Sequence, residues 1–265
     1  MRRKAGVRGQ FYPQSCKEIE SMINGWNEII DTHIKDPSIL KSTPRAIISP
    51  HAGYVYSGFS ANIAHRILAN TKAKRVIIFG PSHHTFIDGL SGSEMEVYES
   101  PCGDLAIDLN YLQKIKKSFK LNFTPKAHFV EHSTETQMPF IKHYLPDAKI
   151  IEFIYGKMEP NKLAKMIYAL MKDRDNLIVI STDLSHFYDL TQAKKRDNIC
   201  LEAIDKLDTK MLDLGCEACG MIGVKAILEV AKMMKLDSKI LDYRTSADAS
   251  GDKNRVVGYV SAMIG

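Results

Sequence analysis

The ten residues Arg75-Val-Ile-Ile-Phe-Gly-Pro-Ser-His-His84 open as an uninterrupted apolar run and end in a turn that carries two adjacent histidines. An apolar run of that length, without polar alternation, suits a strand buried on both faces. Arg45-Ala-Ile-Ile-Ser-Pro50, Lys149-Ile-Ile-Glu-Phe-Ile-Tyr155 and Asn176-Leu-Ile-Val-Ile-Ser181 repeat the pattern, and Arg255–Ile264 predicts a last strand. Around them, Cys16–Ile30, Ser57–Ala69, Thr134–Leu145, Pro160–Lys172, Thr191–Leu207 and Gly220–Lys235 show the apolar spacing of helices. Helices alternating with strands predict an α/β fold: one domain over residues 1–265, with a mostly parallel central sheet flanked by helices on both faces. No stretch reads as a linker, a repeat or a low-complexity tract.

The composition sets bounds. With 45% apolar and 25% charged residues, the 265-residue chain can bury a core large enough to offset its entropy. The net charge of +5 comes from 36 Lys and Arg against 31 Asp and Glu, scattered in mixed stretches, with no basic stripe or module that would point to nucleic acid. Arg2-Arg3-Lys4 is not followed by an apolar signal segment, and no uncharged run approaches the ~20 residues that span a bilayer. Five cysteines, an odd and low number, are read as thiols of a reducing compartment, which predicts a cytoplasmic protein.

In open α/β sheets, ligands sit beyond the carboxyl ends of the strands. Three of those ends present histidine: His51 in Ser49-Pro-His-Ala-Gly-Tyr54, His83 and His84 in Gly80-Pro-Ser-His-His84, and His186 in Ser181-Thr-Asp-Leu-Ser-His186, where Asp183 adds a carboxylate. One such histidine alone reads as a cap or a loop partner, whereas three converging on one cleft point to a metal or acid/base site. His33, His65 and His143 fall in or beside helical segments and read as surface or packing residues.

Two further clusters stand out. In Glu131-His132-Ser133-Thr134-Glu135-Thr136-Gln137, Thr134 and Gln137 match a capping box, while Glu131, His132 and Glu135 are suited to orienting metal-bound imidazoles from behind. Cys216-Glu-Ala-Cys219 is a single CxxC, too little for a four-thiolate zinc site. Cys219 also opens a helical run, where the helix dipole favours thiolate. The Ser/Asp/Gly-rich stretch Tyr243–Asp252 reads as a surface turn, or as a loop lining the mouth of the cleft.

Through Pro50-His51-Ala-Gly-Tyr54, Gly80-Pro-Ser-His-His84, Glu131-His132-Ser133, Ser181-x-Asp183-x-x-His186 and Cys219-Gly220, the chain resembles the Memo family. Gly9-x-Phe11-Tyr12-Pro13 and Val256-Val-Gly-Tyr259 look like the ends of that family's pattern. The resemblance implies a fold like that of LigB-type, class III extradiol dioxygenases, which hold non-haem Fe(II) with two histidines and a carboxylate. Carried onto this chain, it implies His51, His83 and Cys219 as metal ligands and His186 as acid/base with Asp183 beside it. Tyr54 and His84 then line the substrate space. A cysteine in place of the carboxylate shifts preference toward copper, zinc or a differently tuned iron, so ring cleavage is not inherited with the fold.

Three functions remain open on this reading. The first is a redox enzyme using one iron or copper ion. The second is a non-catalytic metal-binding or adaptor protein that takes a small molecule or peptide in the cleft, and the third is a hydrolase using zinc or Cys219. The resemblance further implies Ammecr-type or radical-SAM proteins as partners in trans.

Overall fold

The computed structural model describes residues 1–265. Its strands, in chain order, are β1 (Arg2–Arg3), β2 (Ala46–Ser49), β3 (Arg75–Pro81), β4 (Leu90–Gly92), β5 (Val97–Tyr98), β6 (Leu105–Ala106), β7 (Lys149–Tyr155), β8 (Asn176–Ser181), β9 (His186–Tyr188), β10 (Ser238–Thr245) and β11 (Val256–Ile264). The α-helices are α1 (Cys16–His33), α2 (Tyr54–Arg66), α3 (Leu109–Phe119), α4 (His132–Glu135), α5 (Met138–Tyr144), α6 (Pro160–Met171), α7 (Leu190–Asp205), α8 (Thr209–Leu212), α9 (Met221–Met234) and α10 (Ala247–Ser250).

The main sheet has the order β10-β11-β2-β8-β3-β7-β4, with β9 added to one end of β11. Its centre, β2, β8, β3 and β7, is parallel, and these are the four apolar runs read from the sequence. Successive residues of these strands serve opposite cores. Ile48, Ile77 and Ile180 pack with Ile167 and Val224 of α6 and α9, whereas Ile47, Ile78 and Val179 pack with Ala64 and Ile141 of α2 and α5. Helices therefore cover both faces, as the alternation predicts. A small second sheet, β1-β5-β6, fixes the beginning of the chain.

Several details differ from the sequence reading. The helix expected over Thr134–Leu145 is two helices, and Pro139 in the first turn of α5 explains the break. Thr134 caps nothing: Glu131 is the N-cap of α4, accepting from the Ser133 N–H, while Thr134 Oγ1 donates to the buried Glu152. Residues 243–252 are not a plain turn, since Tyr243–Thr245 end β10 and Ala247–Ser250 form α10. Four of the five cysteines are paired, as Cys16–Cys102 and Cys200–Cys216, and Cys219 is the free thiol. This corrects the reading of five thiols and removes the argument from cysteine count for a reducing compartment. No helix is long and apolar enough to cross a membrane.

Gln137 joins the core to the carboxyl ends of the strands. Its Nε2 donates to the Pro50 carbonyl (2.9 Å) and to Ser181 Oγ (3.1 Å), and its Oε1 lies 2.8 Å from Nε2 of the fully buried His65. Burial pulls His65 down to about 4, outweighing the bond to Gln137. Between about pH 6.5 and 4 the unfolded chain therefore binds a proton that the folded chain refuses, and stability falls as the pH drops through that window. The expected loss is about 3 kcal/mol at pH 4 relative to pH 7. Urea titrations of wild type and His65→Gln test this, and equal pH slopes for the two proteins would contradict it.

Candidate metal centre

Four loops at the carboxyl ends of β2, β3 and β8 and at the start of α4 bring His51, His83, Asp183 and His132 together. One ring nitrogen from each of His51, His83 and His132 lies within 4.8 Å of the other two. The rings meet at centroid distances of 4.4 Å (His83–His132), 5.2 Å (His51–His83) and 5.4 Å (His51–His132). Cys219 enters from the turn before α9, with Sγ 3.3 Å from His51 Nε2.

The hydrogen bonds behind the imidazoles decide which nitrogen each one offers. Ser181 Oγ donates its single hydrogen to the Ser133 carbonyl (2.5 Å), so it accepts from Gln137 and, at 2.8 Å, from Nδ1–H of His51. That leaves His51 Nε2 as a bare lone pair facing the cluster. Glu131 engages His83 Nδ1 and turns Nε2 toward the cluster. Its Oε2 accepts the His83 main-chain N–H (2.6 Å) and its Oε1 lies 2.9 Å from Nδ1, a carboxylate–imidazole pair of the kind that orients metal ligands. Burial drives the Glu131 carboxyl up, but the bonds from His83 and Ser133 overcome it and hold the group ionised, at about 2.

Burial keeps two of the rings, His51 and His132, neutral. His51 is held well below the ordinary histidine value, first by burial and then by neighbouring imidazoles, and His132 is brought to about 4 by burial and by His83. His132 Nδ1 is buried and without a hydrogen-bond partner. Three imidazoles, His51 and His83 each engaged at Nδ1 so that Nε2 is the nitrogen left to the cluster, and His132 with Nδ1 outside hydrogen-bond geometry 3.5 Å from Glu131 Oε1, form a donor set suited to a cation. Cys219 differs from the expectation of a thiolate. Burial and the adjacent Asp183 push its thiol up to about 12, against the pull of the Asp183 and Gly220 N–H groups. With a proton on sulfur, Sγ donates toward His51 Nε2, and a cation would have to displace that proton.

Asp183 accepts the His51 N–H at Oδ1 (2.8 Å), and burial raises its carboxyl to about 7. His186 lies on β9, half-buried, near enough for its charge to be felt by His51, but outside the trio of mutual approach. His84 is exposed, 5.7 Å from the His132 ring. Two residues expected to line the cleft or to support it from behind are placed elsewhere. Tyr54 is packed on Phe140, with its hydroxyl donating to the Thr136 carbonyl. Glu135 is wholly buried in an ion pair with Arg3. Reasoning from sequence missed Ser181, visible only as a strand-end serine, and placed His132 behind the ligands rather than among them. A surface concavity of about 550 Å³ lies at the opposite end of the sheet between Arg75 and Lys149 and contains none of these donors.

Gly220 lets Cys219 reach this position. A Cβ there would stand 2.6 Å from Thr182 Cβ and 2.7 Å from the Ser181 carbonyl. Gly220→Ala is therefore expected to cost about 1–3 kcal/mol and to move Cys219 off His51. Unfolding midpoints, together with the rate of Cys219 alkylation, measure both effects, and unchanged values in both would contradict the assignment.

Comparison with known proteins identifies the family. The family model described as Memo-like protein matches residues 3–263. Similar chains include MEMO1 family proteins of Aquifex aeolicus (31% identical, covering 98% of both chains), Desulfurococcus amylolyticus (33%, 96% of both) and Sulfolobus acidocaldarius (30%, 100% of both). Since the match takes in every strand end that feeds the histidine cluster, the chain belongs to the Memo family.

Proposed function

We propose that the cleft is a metal-dependent redox centre in which His51, His83 and Cys219 hold one iron or copper ion, with His132 beside them. The observation that carries this reading is the approach of three imidazole nitrogens to within 4.8 Å, next to the one free thiol. A mixed imidazole and sulfur set favours copper, zinc or iron over magnesium or calcium, and iron or copper bound there would supply one-electron chemistry. Ser181 and Glu131 hold the ring tautomers. Asp183, poised near neutrality, and His186, kept neutral by burial, are the groups that take up or release a proton at the edge of the cluster.

The rim supports an apolar ligand. Val55, Tyr56, Phe86, Phe129, Val130 and Phe187 are exposed, and each lies within a few residues of a member of the cluster. Phe187 is held at a positive φ of 66°, a conformation costly for an aromatic residue, and the Arg255 guanidinium lies over its ring. These residues suit the apolar part of a small molecule or peptide. The same rim favours ligand binding without turnover as the second reading. A metal-free hydrolase using Cys219 is disfavoured by the raised thiol.

Protein purified without oxygen and without a metal-binding tag, analysed for iron, copper and zinc, tests the proposal. About one redox metal per chain, together with oxygen or peroxide turnover that disappears in His51→Ala, is the expected result. Zinc in its place would move the reading to hydrolysis. Metal without turnover would leave binding alone.

A further inference from the structure

We propose that residues 2–16 are a disulfide-locked strap that sets the His132 side of the cluster, with Phe11 as its positioning residue. The proposal rests on the metal-centre reading given above. The Phe11 ring lies against that of His132, centroids 4.5 Å apart and planes 30° apart, on the one imidazole of the trio whose Nδ1 has no hydrogen-bond partner. Where Ser181 and Glu131 orient the other two rings by hydrogen bonds, His132 makes none, its Nδ1 standing 3.5 Å from Glu131 Oε1, and its ring rests on an aromatic face. The Phe11 carbonyl accepts the Tyr54 N–H (2.7 Å), which ties the strap to the turn after His51 as well.

The rest of the strap grips the loop that delivers Glu131 and His132. The buried Arg3 guanidinium donates to the carbonyls of His128 and Glu131 and to the Glu135 carboxylate. Glu135 also accepts the N–H groups of Gly6 (2.9 Å) and Val7 (2.8 Å) and the Tyr12 hydroxyl (2.7 Å). The approach is so close that a Cβ on Gly6 would meet the Phe129 carbonyl at 2.5 Å.

Outside this grip, the strap is joined to residues 96–104. β1 pairs in parallel with β5, Arg8 lies 3.6 Å from Glu99, and Arg2 pairs with Asp104. The Cys16–Cys102 disulfide closes the far end, at the first residue of α1. Cys16 is five residues beyond Phe11, so the covalent bond limits how far Phe11 can lift from His132. Reduction by a dithiol takes two electrons. The S–S bond breaks, each sulfur receives a proton, and the reductant leaves as its own disulfide. The strap is then held only by its non-covalent contacts, and the centre loosens on its His132 side.

The test uses the full chain with cobalt(II) as the probe, comparing wild type, Cys102→Ser, Phe11→Ala and Phe11→Tyr at a temperature where all four have the same circular dichroism. Cys102→Ser and Phe11→Ala are expected to weaken cobalt binding about tenfold and to shift its visible bands, as loss of an outer partner does, while Phe11→Tyr restores both. Amide exchange over residues 128–135 is read in parallel on metal-free protein and is expected to quicken in the first two variants. Wild type that binds no cobalt would sink the metal reading, and the exchange data would then decide the strap alone. Unchanged exchange, or wild-type affinity and bands in Phe11→Ala, would overturn the strap. So would a second equivalent of cobalt bound only by reduced wild type, which would make Cys16 and Cys102 ligands together with the nearby Glu20.

Discussion

Glu135→Ala is expected to destabilise the protein by about 3–5 kcal/mol, the range for removing one partner of a buried ion pair. Both Glu135 and Arg3 have fully buried side chains, so the substitution strands a guanidinium away from water. Three further donors lose their acceptor at once: the Gly6 and Val7 N–H groups and the Tyr12 hydroxyl. An unmet buried donor costs about 1–3 kcal/mol, although relaxation of the strap will let some of these reach water. Glu135→Gln keeps the shape and an accepting oxygen but not the charge, and should fall between wild type and alanine. Calorimetry measures the effect as a drop in Tm of roughly 6–20 °C for the alanine variant. A loss under about 1 kcal/mol would mean that the ion pair contributes little.

Glu131→Ala is expected to weaken metal binding 10- to 100-fold without removing a ligand, because its carboxylate fixes the tautomer and direction of His83. His83→Ala should exceed the upper end of that range, since it deletes the donor itself. The order wild type, Glu131→Ala, His83→Ala, measured by competition with a chromophoric chelator, separates the two roles. Glu131→Gln offers His83 an uncharged partner and should recover part of the loss. If Glu131→Ala binds metal as wild type does, His83 is not oriented from behind and the centre is less organised than the hydrogen bonds imply.

The central strands were legible because burial on both faces leaves no room for polar residues, and Arg75–Gly80 and Asn176–Ser181 show that directly. β10 escaped notice for the converse reason. It is an edge strand, and Lys239, Asp242 and Arg244 interrupt its apolar residues. α3, with three lysines along Leu109–Phe119, buries only Leu112 and Ile115 and carries a correspondingly faint signal. Of the cluster, His51 and His83 were readable from their positions after strands. His132 was harder, because it opens a helix of one turn whose cap was assigned to the wrong residue. Neither the role of Glu135 nor the pairing of Cys16 with Cys102 has a local signature, because both depend on segments about a hundred residues apart meeting beside β5. The raised Cys219 thiol shows the limit of the helix-dipole argument, since burial beside Asp183 outweighs a few amide dipoles.

The place of β11 has a consequence for how the protein is made. This strand follows every other strand in the chain, yet it lies inside the main sheet, bonded to β10 on one side and to β2 on the other. During translation, at roughly 5–20 residues per second, one edge of β2 therefore stands open for on the order of ten seconds after its partner β8 has emerged. An unpaired apolar edge at the side of a nascent sheet invites pairing with the wrong strand. Ribosomes that stop short of residue 256 would release chains whose histidine loops are all present but whose sheet has a gap beside the strand that carries His51. Such chains should go to chaperones or aggregates, so the site can be assembled only after the last strand has been synthesised.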